Sequence, residues 1–200
     1  MQRSAGSCSL NRGALSLLIG LCGAALILGA AGCDLFKPRE SDIPGEEGAS
    51  WSFPAEPDSV LFNLVAAYEE RNVENYMTCF DSAFVFLADP YEANGPNAER
   101  YADWTYATEE SVTTRLFAAQ VTSGSISLQL TDSLRIESDT IATLYEHYQL
   151  SVRHPTLMAA QGTARLMMRR FGIWWSIHEW QDIRADTTDW GEVKGQFRGR

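Results

Sequence analysis

Three carboxylates, Asp132, Glu146 and Glu179, are the residues whose placement could do chemistry. The alternation of the strands around them puts all three on one apolar face. Ile126, Leu128, Leu130, Leu134 and Ile136 alternate along one run, and Ala142, Leu144, Tyr148, Leu150 and Val152 along the next. Period-2 patterning of this kind marks strands with one buried face. A three-residue loop, Ser138-Asp139-Thr140, sets Leu134 against Leu144, Leu130 against Tyr148, and Asp132 against Glu146. A five-residue loop around His154-Pro155 then places Glu146 opposite Ala164. A two-residue turn at Phe171-Gly172 places Ala164 opposite Glu179, Gly162 opposite Gln181, Leu166 opposite Ile177 and Met168 opposite Trp175. Such turns need positive φ, which glycine supplies. Carboxylates on a buried face are costly unless paired, hydrated or protonated, and like charges across a sheet raise a pKa. A row of this kind can act as general acid and base, or hold a cation or an amine. Asp132, Glu146 and Glu179 are therefore the catalytic candidates. A β-bulge near Asp132, or one after Ile177, would turn part of the row to water, and an internal arginine would neutralise it. The second bulge would also bring His178, Trp180 and Asp182 inward.

The last hairpin, residues 158–184, organises the chain. Its even positions Met158, Ala160, Gly162, Ala164, Leu166 and Met168 are apolar or small, and Gln161, Thr163, Arg165 and Arg169 alternate with them. Gly162 and Ala160 leave room for a cavity, whose lining would include Tyr148, Gly162, Ala164 and Gln181. In the same register the outer face collects Tyr145, Met167, Trp174 and Trp180. An exposed aromatic patch of this kind is expected to take a partner or a second copy of the chain. The competing expectation is that the C-terminal residues 187–200, with Trp190 and Phe197, cover it. Helices come earlier. Asp58 follows Pro57 as a cap for a stripe of Val60, Leu61, Leu64, Val65 and Tyr68. Asn72 caps Val73, Tyr76, Met77 and Phe80. A buried strand, 84–87, precedes a Gly/Pro/Asn loop over 91–103. Glu109 and Glu110 suit the first turn of a third helix ending near Ser123-Gly124.

The N-terminus sets the compartment. Arg3 and Arg12 precede an uncharged run over 13–32, the pattern of an export signal. The run ends Ala30-Ala31-Gly32-Cys33, which resembles the lipobox of bacterial lipoproteins. That resemblance implies cleavage after residue 32, lipidation of Cys33 and an envelope-facing domain held at a membrane. Residues 33–57, with Pro38, Pro44, Pro54 and Pro57, read as a tether. The folded domain is expected over 58–186 and a tail over 187–200. The chain has a formal net charge of -10, and its two leader arginines leave 14 basic against 26 acidic residues beyond them. An acidic domain without a basic run is not a nucleic-acid binder. Two of the four cysteines lie in the leader, so there is no disulfide framework. No Cys/His spacing matches a zinc site, and neither metal nor cofactor is expected. Cys79 reads as a small buried hydrophobe.

Helix, helix, short strand, loop, helix and then four long antiparallel strands is an α+β order. The segments AYEERNVENYMTCFDSAFVF (67–86) and FGIWWSIHEWQDI (171–183) resemble the nuclear-transport-factor-2-like superfamily, which includes ketosteroid-isomerase-like and SnoaL-like proteins. The tail segment DWGEVKGQF (189–197) looks like one seen in uncharacterised bacterial lipoproteins of this type. The resemblance implies a cone, with three N-terminal helices packed on a curved, mostly antiparallel sheet and a pocket at the open end, often in a dimer. It fixes no reaction, because the superfamily holds isomerases, dehydratases, hydrolases and members without activity. Ketosteroid isomerases use a Tyr and a protonated Asp beside a basic Asp, and that trio has no residue-by-residue counterpart here. The leading expectation is a non-catalytic, membrane-anchored envelope lipoprotein that binds a small ligand or an envelope protein. The alternatives are a small-pocket enzyme using the carboxylate row, and an assembly subunit like the periplasmic type IV secretion domains that share this fold.

Overall fold

The computed structural model describes residues 50–120, 126–153, 159–185 and 188–198, all within the compact unit Glu47–Arg200. The expected export signal, Cys33, most of the expected tether, the helix end expected at Ser123-Gly124 and the loop expected around His154-Pro155 lie outside the described residues.

Among the described residues, four helices precede the long strands of the sheet, where three were expected. Helix α1 (Pro57–Glu70) begins with proline at its first position and Asp58 in its first turn. Both choices suit a helix N-terminus. The helix stops where Arg71 adopts a left-handed φ of 55°. Helix α2 (Val73–Thr78) is capped as expected, with the Asn72 side chain accepting the Asn75 N–H at 3.0 Å. Strand β1 (Phe80–Leu87) follows, then a short helix α3 (Pro90–Ala93), a 3-10 turn (Ala98–Arg100) and helix α4 (Tyr106–Ala119). The segment read as a loop over 91–103 thus carries two short helical pieces.

The long strands β2 (Ile126–Glu137), β3 (Ile141–Val152), β4 (Ala159–Phe171) and β5 (Trp174–Arg184) make an antiparallel meander. Strand β1 joins it parallel to β5, giving the order β1-β5-β4-β3-β2. One face buries Leu128, Leu144, Leu150, Leu166, Met168 and Ile177 against Val60, Leu64, Tyr68, Tyr76, Leu116 and Phe117 of the helices. Helix α5 (Trp190–Phe197) closes the described chain, and Trp190 and Val193 join this same core.

The sequence register holds across β3 and β4, where Glu146 faces Ala164 and Tyr148 faces Gly162. It also holds from Ile126 to Asp132, which pairs with Glu146. Beyond that, two bulges reassign faces. One lies between Asp132 and Leu134, so Leu134 pairs with Tyr145 rather than Leu144, and Ile136 with Thr143. Both apolar side chains turn outward and are exposed. The other lies at His178. The β4–β5 turn is Gly172-Ile173, with Phe171 paired to Trp174, one residue later than expected. Gly172 supplies its φ of 63°. Met168 therefore meets Ile177; past the bulge, Leu166 meets Trp180 and Ala164 meets Asp182.

Candidate functional site: two carboxylates on one sheet face

The bulge at His178 replaces one member of the expected row. Across the sheet the row reads Asp132, Glu146, Ala164, Asp182, and Glu179 is not part of it. Glu179 points outward and pairs with Arg165 at 2.8 Å, and the same guanidinium donates to Gln181 Oε1 at 2.9 Å. Gln181 accordingly lines no inner pocket. His178 does not join Asp182 in a dyad. Its Nδ1 lies 2.9 Å from Asp81 Oδ2.

Trp180, expected on the outer face, is fully buried on the inner one for the same reason. Tyr145 and Met167 remain half-buried outside, and Trp174 is exposed there. Phe53 stacks on Trp174 with ring centres 5.0 Å apart, and Trp51 meets it edge-on at 6.1 Å. Part of the outer patch is thus covered from the N-terminal side, while Trp190 goes to the interior instead. Leu134, Ile136, Ile141 and Phe171 extend the patch with exposed apolar side chains.

The cone interior is filled by α5. Trp190 packs edge-on against Trp180 at 4.2 Å and against Tyr68 at 5.3 Å, and its indole N–H donates to the Tyr68 hydroxyl at 2.8 Å. Lys194 is buried, with Nζ 3.8 Å from the centre of the Trp180 ring and 4.3 Å from that of Phe86. Its counter-ion is Glu109, at 2.8 Å. Glu109 also accepts the Tyr76 O–H at 2.5 Å and the Trp104 indole N–H at 2.7 Å. Burial pulls the Lys194 ammonium below its usual pKa, and Glu109 pulls it back up. Glu109, expected in the first turn of its helix, is also the buried anchor of the C-terminal helix.

Asp182 receives the N-terminus of α5. Its carboxylate accepts the Gly191 N–H at 2.6 Å and the Tyr148 O–H at 2.9 Å, and Tyr148 Oη accepts the Trp190 N–H at 2.8 Å. A helix N-terminus favours a carboxylate. Even so, burial pushes Asp182 up to about 6. Asp189, which caps the helix through the Glu192 N–H, is raised by burial and by the charge of Asp182. The space expected at Gly162 and Ala160 belongs to Tyr148. A Cβ on Gly162 would stand 2.6 Å from the phenol oxygen. Ala164 is buried beneath the same packing. Tyr148 and Gly162 do border a groove of about 440 Å3 lined by the outward residues His147, Gln149, Gln161 and Thr163.

Glu146 is the carboxylate that remains open. It is buried, yet it lines a cleft of about 600 Å3 between α1 and strands β2 and β3, with Leu61, Phe62, Val65, Leu128 and Leu130 as apolar walls. Glu146 Oε1 has no hydrogen-bond partner. The nearest cation, Arg135 Nη2, is 4.0 Å away and bound bidentately to Asp58 at 2.7 and 2.9 Å. Asp132 is exposed and lies 3.8 Å from Arg135 Nε. Burial, and then the charge of Asp132, pushes Glu146 up to about 7.

No family model matches this chain, and no curated protein does. Solved structures do. A protein from Thiobacillus denitrificans, assigned as a calcium/calmodulin-dependent protein kinase type II association domain, superposes with a TM-score of 0.51 at 16% identity. The match covers 67% of this chain and 98% of that one. An assigned aromatic ring hydroxylase from Novosphingobium aromaticivorans gives 0.51 at 12% identity, over 65% of this chain and 87% of the other. A nuclear-transport-factor-2-like protein of unknown function from Shewanella oneidensis gives 0.47 at 12% identity, over 62% and 93%. The chain shares with the first two of these structures an α+β fold, helices packed on a five-stranded, mostly antiparallel sheet. At these identities the likeness is one of fold, and it carries no activity across.

Proposed function

We propose that the protein is a non-catalytic, lipid-anchored envelope protein whose folded domain binds a second copy of itself through the outer face of its sheet. The supporting observation is the filled cone. Trp190 and Lys194 occupy the interior, and the carboxylates that meet them there, Asp182 and Glu109, are committed to α5. What the domain offers outward is the apolar strip of Leu134, Ile136, Tyr145, Met167 and Trp174, widened by the bulge after Asp132. Arg165 and Glu179, charges of both signs, lie beside it, and a two-fold contact needs such self-complementarity. The anchor is Cys33, on the sequence Ala30-Ala31-Gly32-Cys33.

Two experiments test this reading. Sedimentation equilibrium is expected to show a dimer that Trp174→Ala weakens about tenfold or more, as removal of a central aromatic anchor does. A wild-type monomer at high concentration would refute it. Metabolic labelling with a fatty-acid probe is expected to mark the wild type and not Cys33→Ala; label on the variant would refute the anchor. The small-pocket enzyme keeps one supporting observation, a carboxyl titrating near neutrality in an open cleft. The charged neighbours of that carboxyl are Arg135, 4.0 Å away, and Asp132, paired with it across β2 and β3 but exposed and beside the same arginine.

A further inference from the structure

We infer that the cleft between α1 and strands β2 and β3 is a binding site for a small organic cation, an ammonium group on a compact apolar body, with Glu146 as the counter-ion. This site is separate from the outer sheet face, so either proposal can fail alone.

Four observations converge on it. Glu146 is 2% exposed, and its Oε1 accepts no hydrogen bond. A buried carboxyl oxygen without a donor carries a desolvation penalty that a ligand bearing N–H groups would remove. The charged groups facing the cleft are unbalanced. Asp58 on α1, Asp132 on β2 and Glu146 on β3 stand against Arg135 alone. Arg135 is engaged by Asp58 in a bidentate pair and contacts Glu137 at 3.2 Å, so it is held away from Glu146. Finally, the walls are aliphatic and aromatic, with Phe62 half exposed at 53% where a ligand body would cover it. Among the described residues no group of three or more acidic, His or Cys side chains could hold a metal ion. An ammonium fits instead, because it needs one carboxylate and tolerates an apolar collar.

Glu146 is half-protonated near neutrality, so the cation must displace its proton. Binding should therefore strengthen as pH rises from about 6 to about 8. The test is calorimetric titration of the purified full-length protein with cyclohexylammonium, with cyclohexanol as the uncharged match and magnesium chloride as the metal. Cyclohexylammonium is expected to bind, and cyclohexanol to bind about tenfold more weakly or worse, since a charge-assisted hydrogen bond is lost. Glu146→Gln, which keeps shape and hydrogen-bonding capacity, should weaken the amine about tenfold and leave cyclohexanol unchanged. Phe62→Ala, at an exposed position that should not disturb folding, should weaken both. Equal affinity for amine and alcohol, amine binding unaffected by Glu146→Gln, tighter binding of magnesium than of the amine, or no heat from the amine would each overturn the proposal.

Discussion

Asp182 and Glu146 sit in one row of one sheet, separated only by Ala164, and their surroundings differ completely. Asp182 accepts a backbone N–H and a phenol O–H, and a helix is docked on it. Glu146 faces a cleft and leaves an oxygen without a donor. Both are pushed up by burial, so a raised pKa alone does not separate a structural acid from an available one. What separates them is whether the chain itself supplies the missing partner. At Asp182 it does, through α5; at Glu146 it does not.

The largest break in this comparison should come from Lys194→Met. It leaves Glu109 buried with two neutral donors and no counter-ion. Removing one member of a buried pair costs about 3–5 kcal/mol, so chemical denaturation should show a large share of the domain's stability gone. Adding Glu109→Gln should recover part of the loss. If the single variant is as stable as wild type, α5 is not held by this pair.

Gly162→Ala comes next. The new methyl would meet the Tyr148 phenol at 2.6 Å and the Ile183 carbonyl at 2.7 Å. Overpacking of this kind costs about 1–3 kcal/mol. Because Tyr148 carries Asp182 and the Trp190 N–H, the damage should spread to α5 and spare the Glu146 cleft. Nuclear magnetic resonance shifts confined to β2 and α1 would contradict that.

The pH dependence is smaller and sharpens the contrast. Asp182 is raised from 3.8 to about 6, and Glu146 from 4.5 to about 7. A folded pKa above the unfolded one means that the folded chain holds extra protons. The contribution of these groups is therefore full below about pH 4 and is lost as pH rises through 6 and 7. The melting temperature should fall between pH 5 and pH 8. Glu146→Gln should flatten the upper part of that fall and change stability little at pH 5, where Glu146 is already protonated. A melting temperature that rises over this interval would contradict the assignment.

Much of this was legible in the sequence. Alternation together with the assumed loop lengths determined the β2–β3 register from Ile126 to Asp132 and the β3–β4 register. At β5 Trp175 and Ile177 face inward as expected, but the turn falls one residue later, and the apolar run Ile173-Trp174-Trp175 offers nothing to fix its position. The bulge at His178 then exchanged Glu179 for Asp182 and buried Trp180. Both bulges were stated possibilities, but nothing in the composition of 132–134 or 177–179 required them. Helical spacing separates Glu109 from Glu110, since Glu109 stands three and seven residues before the buried Val112 and Leu116. Its partner Lys194, from the far end of the chain, could not be read that way. The tail gave no period long enough to say whether Trp190 covers the sheet or enters the cone.

The most direct test of the filled cone is amide hydrogen exchange on α5. If Trp190 and Lys194 are part of the core, the amides of Val193, Lys194 and Gly195 should exchange no faster than those of β3 and β4, through global unfolding. Fast exchange in α5 with the strands still protected would mean that the helix detaches and opens the interior. The cone interior would then be open as well, and the non-catalytic reading would lose its support.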